Sequence, residues 1–185
     1  MNKRIAVLAM LTCTMILLGV FARGRSADAA APAGSNPGSV ADDPYAPLKL
    51  YDGKWDVAMG GEKEPTRLEN HCAKTGLFFM CEQVVKGKTG ALVVFLPFSK
   101  TATGGEEYRT QALLADASPA GEWNKLTIES DKWIYVWENT DAGKKTYWRN
   151  INTFSGTDKI HFEIQRSEDG STWKTQQSGE EQRVK

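Results

Sequence analysis

Gly53-Lys54-Trp55-Asp56-Val57-Ala58-Met59 opens a long series of short, alternating runs, and the series as a whole decides the fold. Ten runs read as strands: residues 54–59, 65–72, 77–86, 91–98, 107–116, 124–129, 133–139, 146–153, 159–166 and 172–178. Turn residues fall between nearly all of them. Gly60-Gly61, Lys74-Thr75-Gly76, Gly87-Lys88-Thr89-Gly90, Gly104-Gly105, Asp141-Ala142-Gly143, Ser155-Gly156 and Asp169-Gly170 each supply positive φ or a tight reversal. No stretch of this region carries a helical period. Short strands with brief connections pair with their neighbours, and a plain meander needs no long Greek-key return. The predicted fold is therefore all-β, a single antiparallel up-and-down β-barrel of about ten strands.

Outward from the strands, the chain changes character. Residues 1–29 read as a signal peptide: a basic start at Lys3-Arg4, an apolar run over residues 5–22, and Ala27-Asp28-Ala29 at cleavage spacing. The competing reading is an uncleaved anchor, because the apolar run is nearly long enough to span a bilayer. Residues 30–47 are rich in Ala, Gly, Ser, Pro and Asp and read as a flexible leader. Within it, Asp43-Pro44-Tyr45-Ala46-Pro47-Leu48 suggests one turn packed over a barrel end. Residues 48–185 make one barrel domain. The expected location is periplasmic or secreted, with no membrane contact after cleavage.

The chain has 23 basic and 23 acidic residues. Cleavage after Ala29 removes Lys3, Arg4, Arg23, Arg25 and Asp28, which leaves a mature net charge of −3. That balance gives no drive towards nucleic acid or anionic lipid. It sets no oligomeric state.

Cleavage also leaves two cysteines, Cys72 and Cys81, an even count that argues for a disulfide in an exported chain. Their spacing fits no zinc pattern. A disulfide between neighbouring strands wants directly opposed residues. Paired positions then sum to 153: Leu68 faces Val85, Asn70 faces Gln83, and His71 faces Glu82, about a turn at Gly76-Leu77. Alternation puts Leu68, Asn70, Cys72, Cys81, Gln83 and Val85 on one face, with His71 and Glu82 on the other.

The His71/Glu82 pair is the most chemical constellation, since a carboxylate fixes a histidine tautomer for general-base work. The competing reading is an outward ion pair. His161 alternates with Ile160, Phe162 and Ile164. It is a surface residue if the apolar face packs inward, or a haem ligand if the polar face lines a cavity. Trp133, Tyr135 and Trp137 share a face and are candidates for lining a cavity. Arg109, beside Tyr108, and Arg149, beside Trp148, are candidates either to hold a ligand carboxylate at a barrel mouth or to lie across outward aromatic rings. The expected ligand-binding set is Tyr108, Arg109, Trp133, Tyr135, Trp137, Arg149 and His161. Residues 91–96 are apolar on both faces, as for a strand buried on both sides or packed outward against a lid. Ser167-Glu168-Asp169-Gly170-Ser171-Thr172-Trp173 reads as a tight turn with its Trp packing back. No hydrolase, zinc, phosphate-loop or dinucleotide motif is present.

Gly53-Lys54-Trp55 at the head of ten strands resembles the calycin group: lipocalins, fatty-acid-binding proteins and their barrel relatives. The Trp-rich middle and the closing Asp169-Gly170…Trp173 hairpin are also similar to exported lipocalin-like domains of uncharacterised bacterial families. The resemblance implies a closed barrel with an internal cavity and no assigned activity. Nitrobindin-type barrels, a second relative, bind haem through one His on a late strand, which would correspond to His161. That group begins Gly-x-Trp-x-Gly-x-Gly, where Val57 and Met59 stand here. The expected function is non-enzymatic binding of a small apolar molecule without a cofactor. The alternatives are a haem-binding or hydrolytic barrel using His161 or the His71/Glu82 pair, and a structural or interaction module with a filled barrel.

Overall fold

Cys72 and Cys81 sit directly opposite each other and are bridged, and the flanking pairs are those the sum of 153 requires, from Leu68↔Val85 to Ala73↔Met80. This hairpin joins β2 (Thr66–Thr75) to β3 (Phe78–Val85) across Gly76-Leu77. The computed structural model describes residues 43–185 apart from Gly61, Lys63 and Ala142, and apart from the side chains of Phe98 and Asp141. Residues 1–29, expected as a signal peptide, and most of the expected leader lie outside the described residues.

The other strands are β1 (Gly53–Met59), β4 (Lys88–Lys100), β5 (Glu106–Leu114) and β6 (Asn124–Glu129). They continue with β7 (Lys132–Asp141), β8 (Lys144–Ser155), β9 (Lys159–Ser167) and β10 (Lys174–Arg183). Each pairs antiparallel with its neighbours in sequence, and β1 pairs with β10, so the sheet closes into a ten-stranded up-and-down barrel. This all-β barrel is compatible with a lipocalin-like fold. Closure leaves no sheet edge, so every strand finds ladder partners on both sides.

Alternation then sorts the side chains. Trp55 and Val57, Leu68, Phe79, Val93 and Phe95, Tyr108, Leu126, Trp133, Phe154, Ile160 and Phe162 point inward and are buried. The doubly apolar segment of β4 follows the same rule. Ala91, Val93 and Phe95 are core, Val94 is covered on the outer face, and outer Leu92 and Leu96 stay partly exposed.

One end of the barrel is closed by the chain entering it. Residues 44–46 turn, and Pro47–Tyr51 form a 3-10 helix with proline at its first position. Tyr45, Leu48 and Tyr51 are buried against the strand ends. The Tyr45 hydroxyl donates to the Leu77 carbonyl, and Tyr108 Oη donates to the Pro44 carbonyl at 2.5 Å. Residues 43–47, placed in the leader on composition, are thus fastened to the barrel by their aromatic ring and backbone carbonyls.

The opening Gly-x-Trp has its physical reason here. Arg183, at the end of β10, lies over the Trp55 ring at 4.2 Å. It donates to the carbonyls of Leu50, Asp52 and Thr157 at 2.5, 2.6 and 2.9 Å. Gly53 has φ of 116°, and its absent Cβ would stand 2.7 Å from Arg183 Nη1. Only glycine fits that backbone and that space. First and last strands are locked together at this point.

Candidate functional site

The two histidines face away from the interior. His71 is opposite Glu82 in register, but its Nε2 lies 3.9 Å from Glu69, while Glu82 accepts from Thr89 Oγ1 at 2.6 Å. The pair is cross-strand without being bonded. His161 lies on the outer face of β9 because Ile160, Phe162 and Ile164 take the inner one. Its Nδ1 is 2.9 Å from Glu180 and its Nε2 is 3.6 Å from Glu163. Neither histidine is placed to meet a group held inside the barrel.

The two arginines also point outward, which is the second of the two readings the sequence left open. Arg109 lies over Trp123 at 5.2 Å and Arg149 over Trp173 at 4.2 Å. Arg149 Nε also donates to Gln165 at 2.7 Å. Alternation fixes this, since Tyr108 and Trp148 take the inward positions beside them. A guanidinium over an exposed indole keeps its hydration while covering apolar surface. Tyr108 faces inward, but its hydroxyl is committed to the cap. Trp133 belongs to the floor beside the cap, 4.8 Å from Phe154 and 5.6 Å from Tyr51.

Tyr135 and Trp137 remain, both inward and only partly buried. Trp137 stacks on Trp148 with centroids 6.2 Å apart and planes 10° from parallel. Trp148 in turn carries Arg166 at 5.8 Å. In a closed barrel, an inward side chain is reached by solvent only through an end or an internal space. Partly exposed Val85, Ala112, Trp137 and Trp148 all lie towards the end opposite the cap. The uncapped end is termed the mouth; Leu50 and Cys72 at the capped end are partly exposed as well.

Part of the inner wall is polar, from the floor upward. Asn70, Gln83, Asn150, Asn152 and Glu181 are buried, each at least nine-tenths. Asn152 sits between Trp133 and Phe162 in the ladder, Asn150 between Tyr135 and Ile164, and Glu181 between Val57 and Ile160. Asn70 Nδ2 donates to the Tyr51 carbonyl at 3.1 Å. Otherwise the set lacks partners among the described residues. Asn70 Oδ1, Gln83 Oε1, Asn150 Oδ1, both side-chain polar atoms of Asn152, and Glu181 Oε2 make no hydrogen bond. Buried polar groups are nearly always satisfied, so each of these needs a donor or acceptor from outside the chain's own atoms.

Burial pushes the Glu181 carboxyl up to about 8. The Tyr135 hydroxyl is raised first by burial and then by Glu181, and Tyr51 by burial, Glu181 and Tyr135 in turn. The acid and the two phenols therefore share one enclosed, low-polarity neighbourhood.

Sequence reasoning read Asn70 and Gln83 onto the cysteine face, which is the inner one, but not as a site. It missed Glu181 because residues 179–183, Gly-Glu-Glu-Gln-Arg, carry no apolar residue to mark a strand. The available signal was β8, where Asn150 and Asn152 alternate in phase with Phe154.

A surface cleft of about 360 Å³ lies at the β9–β10 loop, between Arg166, Asp169, Thr172 and Lys174. Its charges are largely paired: Glu168 meets Lys144 at 2.9 Å and Arg166 at 3.5 Å. Among the described residues, no group of three or more His, Cys, Asp or Glu is placed to hold a metal ion, and no helix is long and apolar enough to cross a membrane. No protein-family model matches the chain, and no curated protein matches its sequence.

Proposed function

We propose that this is an exported barrel that takes a small molecule into its interior through the end opposite the cap. Six unpartnered polar atoms on five buried, inward side chains carry the reading. Leaving a buried polar atom unsatisfied costs roughly 1–3 kcal/mol. A barrel kept only for stability has no use for five such residues on its inner wall. The ligand has a flat apolar body, which suits Tyr135, Trp137 and Trp148, and polar groups that complete the Asn and Glu atoms below them. This shifts the expected ligand from purely apolar to amphipathic. The binding is non-enzymatic, with the histidines outside and no activated nucleophile among the groups described above. Export is supported by the Ala27-Asp28-Ala29 site of the leader and by the Cys72–Cys81 bridge.

Native mass spectrometry of the protein purified from an exporting host, followed by titration with N-phenyl-1-naphthylamine, tests this. The expected result is a chain beginning at Ala30, a co-purified small molecule or a saturable probe site, and quenched tryptophan emission. Trp137→Leu and Trp148→Leu should weaken probe binding without unfolding the barrel. Ordered water on every orphaned atom, together with no co-purified molecule and no probe binding, would leave a filled structural barrel instead.

A further inference from the structure

We infer that the interior receives a ligand bearing a protonated amine, with its ammonium against Glu181. The inference rests on the reading of the interior as a binding site. It follows from the one ionisable group among the orphaned atoms, the Glu181 carboxyl. Four of the other five are amide oxygens: Asn70 Oδ1, Gln83 Oε1, Asn150 Oδ1 and Asn152 Oδ1. One, Asn152 Nδ2, is a donor. The amides bring N–H donors as well as acceptors, so Glu181 is the group that selects for charge. An ammonium offers three donors and no acceptor, whereas a hydroxyl offers one donor and a carboxylate none.

Glu181 identifies where that group goes. It is only 4 % exposed and lies between Val57 and Ile160, neither of which has a polar side chain. The nearest cation along its own strand and face is Arg183. That guanidinium is held over Trp55 and donates to Leu50, Asp52 and Thr157, away from Glu181. The titratable groups that face the acid are Tyr51 from the cap and Tyr135 from β7, both neutral phenols. A buried carboxyl with aromatic rings around it and no cation of its own suits an incoming cation: charge-assisted hydrogen bonding to the acid, and ring faces for the remaining charge. Gly179 adds to the fit. A Cβ there would overlap the Phe162 ring, so the glycine lets that ring lie against β10 next to Glu181. On entry the amine keeps its proton and Glu181 loses one to solvent, so binding near neutral pH releases a proton.

Calorimetric titration with tryptamine and with tryptophol, which share an indole and differ in ammonium against hydroxyl, tests the inference on the full mature chain. Wild type is expected to bind tryptamine about tenfold or more tightly than tryptophol. At pH 6.5, in buffers of different ionisation enthalpy, tryptamine should release close to one proton and tryptophol none. Glu181→Gln should bring the two affinities together and remove the proton release. If that variant does not fold, Glu181→Met or the wild-type affinity ratio and proton count decide. Equal affinities, or tryptamine binding indifferent to Glu181, would overturn the amine inference while binding itself stands. So would N-phenyl-1-naphthylamine binding with neither indole bound. Failure of all three molecules to bind would remove the binding reading as well.

Discussion

The capped end and the polar middle of this barrel solve the same problem in opposite ways. At the cap, polar groups brought inside are matched by the chain itself. Trp55 Nε1 donates to the Tyr51 carbonyl at 3.1 Å, Tyr108 to Pro44, and Arg183 to three carbonyls. A few residues along the same strands, Asn150, Asn152 and Glu181 are equally enclosed and unmatched. The first arrangement is what stability alone would select, because every desolvated donor and acceptor is repaired locally. The second is a standing cost that a partner from outside would relieve. The fold's stability should therefore concentrate at the cap, and its function above it.

The most severe test removes the cap's centre. Trp55→Ala deletes a fully buried indole that supports Arg183, Tyr51 and the β1–β10 seam. A loss of about 3–5 kcal/mol is expected from urea unfolding, as for other buried Trp truncations. Trp137→Ala, at the mouth and only partly buried, should lose about 1 kcal/mol or less. Equal losses at the two ends would break the comparison.

Glu181 gives the next largest effect, and with the opposite sign. Its carboxyl is raised by burial to about 8 in the folded state, against an ordinary value of 4.5. Below 4.5 it is protonated folded or unfolded and favours neither. As pH rises from there, the unfolded chain gives up the proton and the folded chain holds it, so stability is lost up to the folded pKa. Unfolding free energy should fall by about 2–3 kcal/mol between pH 5 and pH 8 in wild type, after local relaxation takes part of the full linkage. Glu181→Leu should flatten that slope and raise stability at pH 7.5. A wild-type profile already flat over this window would show that Glu181 has a partner in the free protein.

Much of this contrast was hidden in the sequence for identifiable reasons. The barrel was legible because its strands are short, its turns carry Gly and Asp, and two cysteines pin a register that the other pairs of that hairpin then obey. That Trp133, Tyr135 and Trp137 share one face was legible from alternation. Arg109 and Arg149 left two readings open because an arginine beside an aromatic residue reads the same whether the ring faces in or out. The outer indoles Trp123 and Trp173, which receive them, come from loops whose path no periodicity reveals. The last strand was cut short at residue 178 because its inward positions are Gln177, Gly179, Glu181 and Arg183, none of them apolar. Hydrophobic patterning finds walls that face a greasy interior and passes over a wall that is polar on its inner side. The site was missed because it departs from the rule that reveals the fold.

The smallest effect belongs to the loop beside the mouth, and it separates local from global order. Asp169 is exposed, and its carboxylate organises the β9–β10 connection. It accepts from the amides of Ser171 and Thr172 at 2.8 and 2.7 Å, from Thr172 Oγ1 at 2.9 Å, and from Ser167 Oγ at 2.8 Å. Those amides hold its pKa well below the usual carboxylate range, followed by the two hydroxyls. A depressed acid lends its support above the ordinary carboxylate pKa and withdraws it as pH falls towards the folded value. The loop should therefore loosen in acid. Asp169→Ala is expected to speed amide exchange at Ser171 and Thr172 by about tenfold and to leave the unfolding temperature nearly unchanged. Trp173, stacked beneath Arg149, keeps the loop's return path in place in that variant. A large drop in unfolding temperature would mean instead that this hairpin carries barrel closure, and the division between a stabilising cap and a permissive mouth would fail at its weakest point.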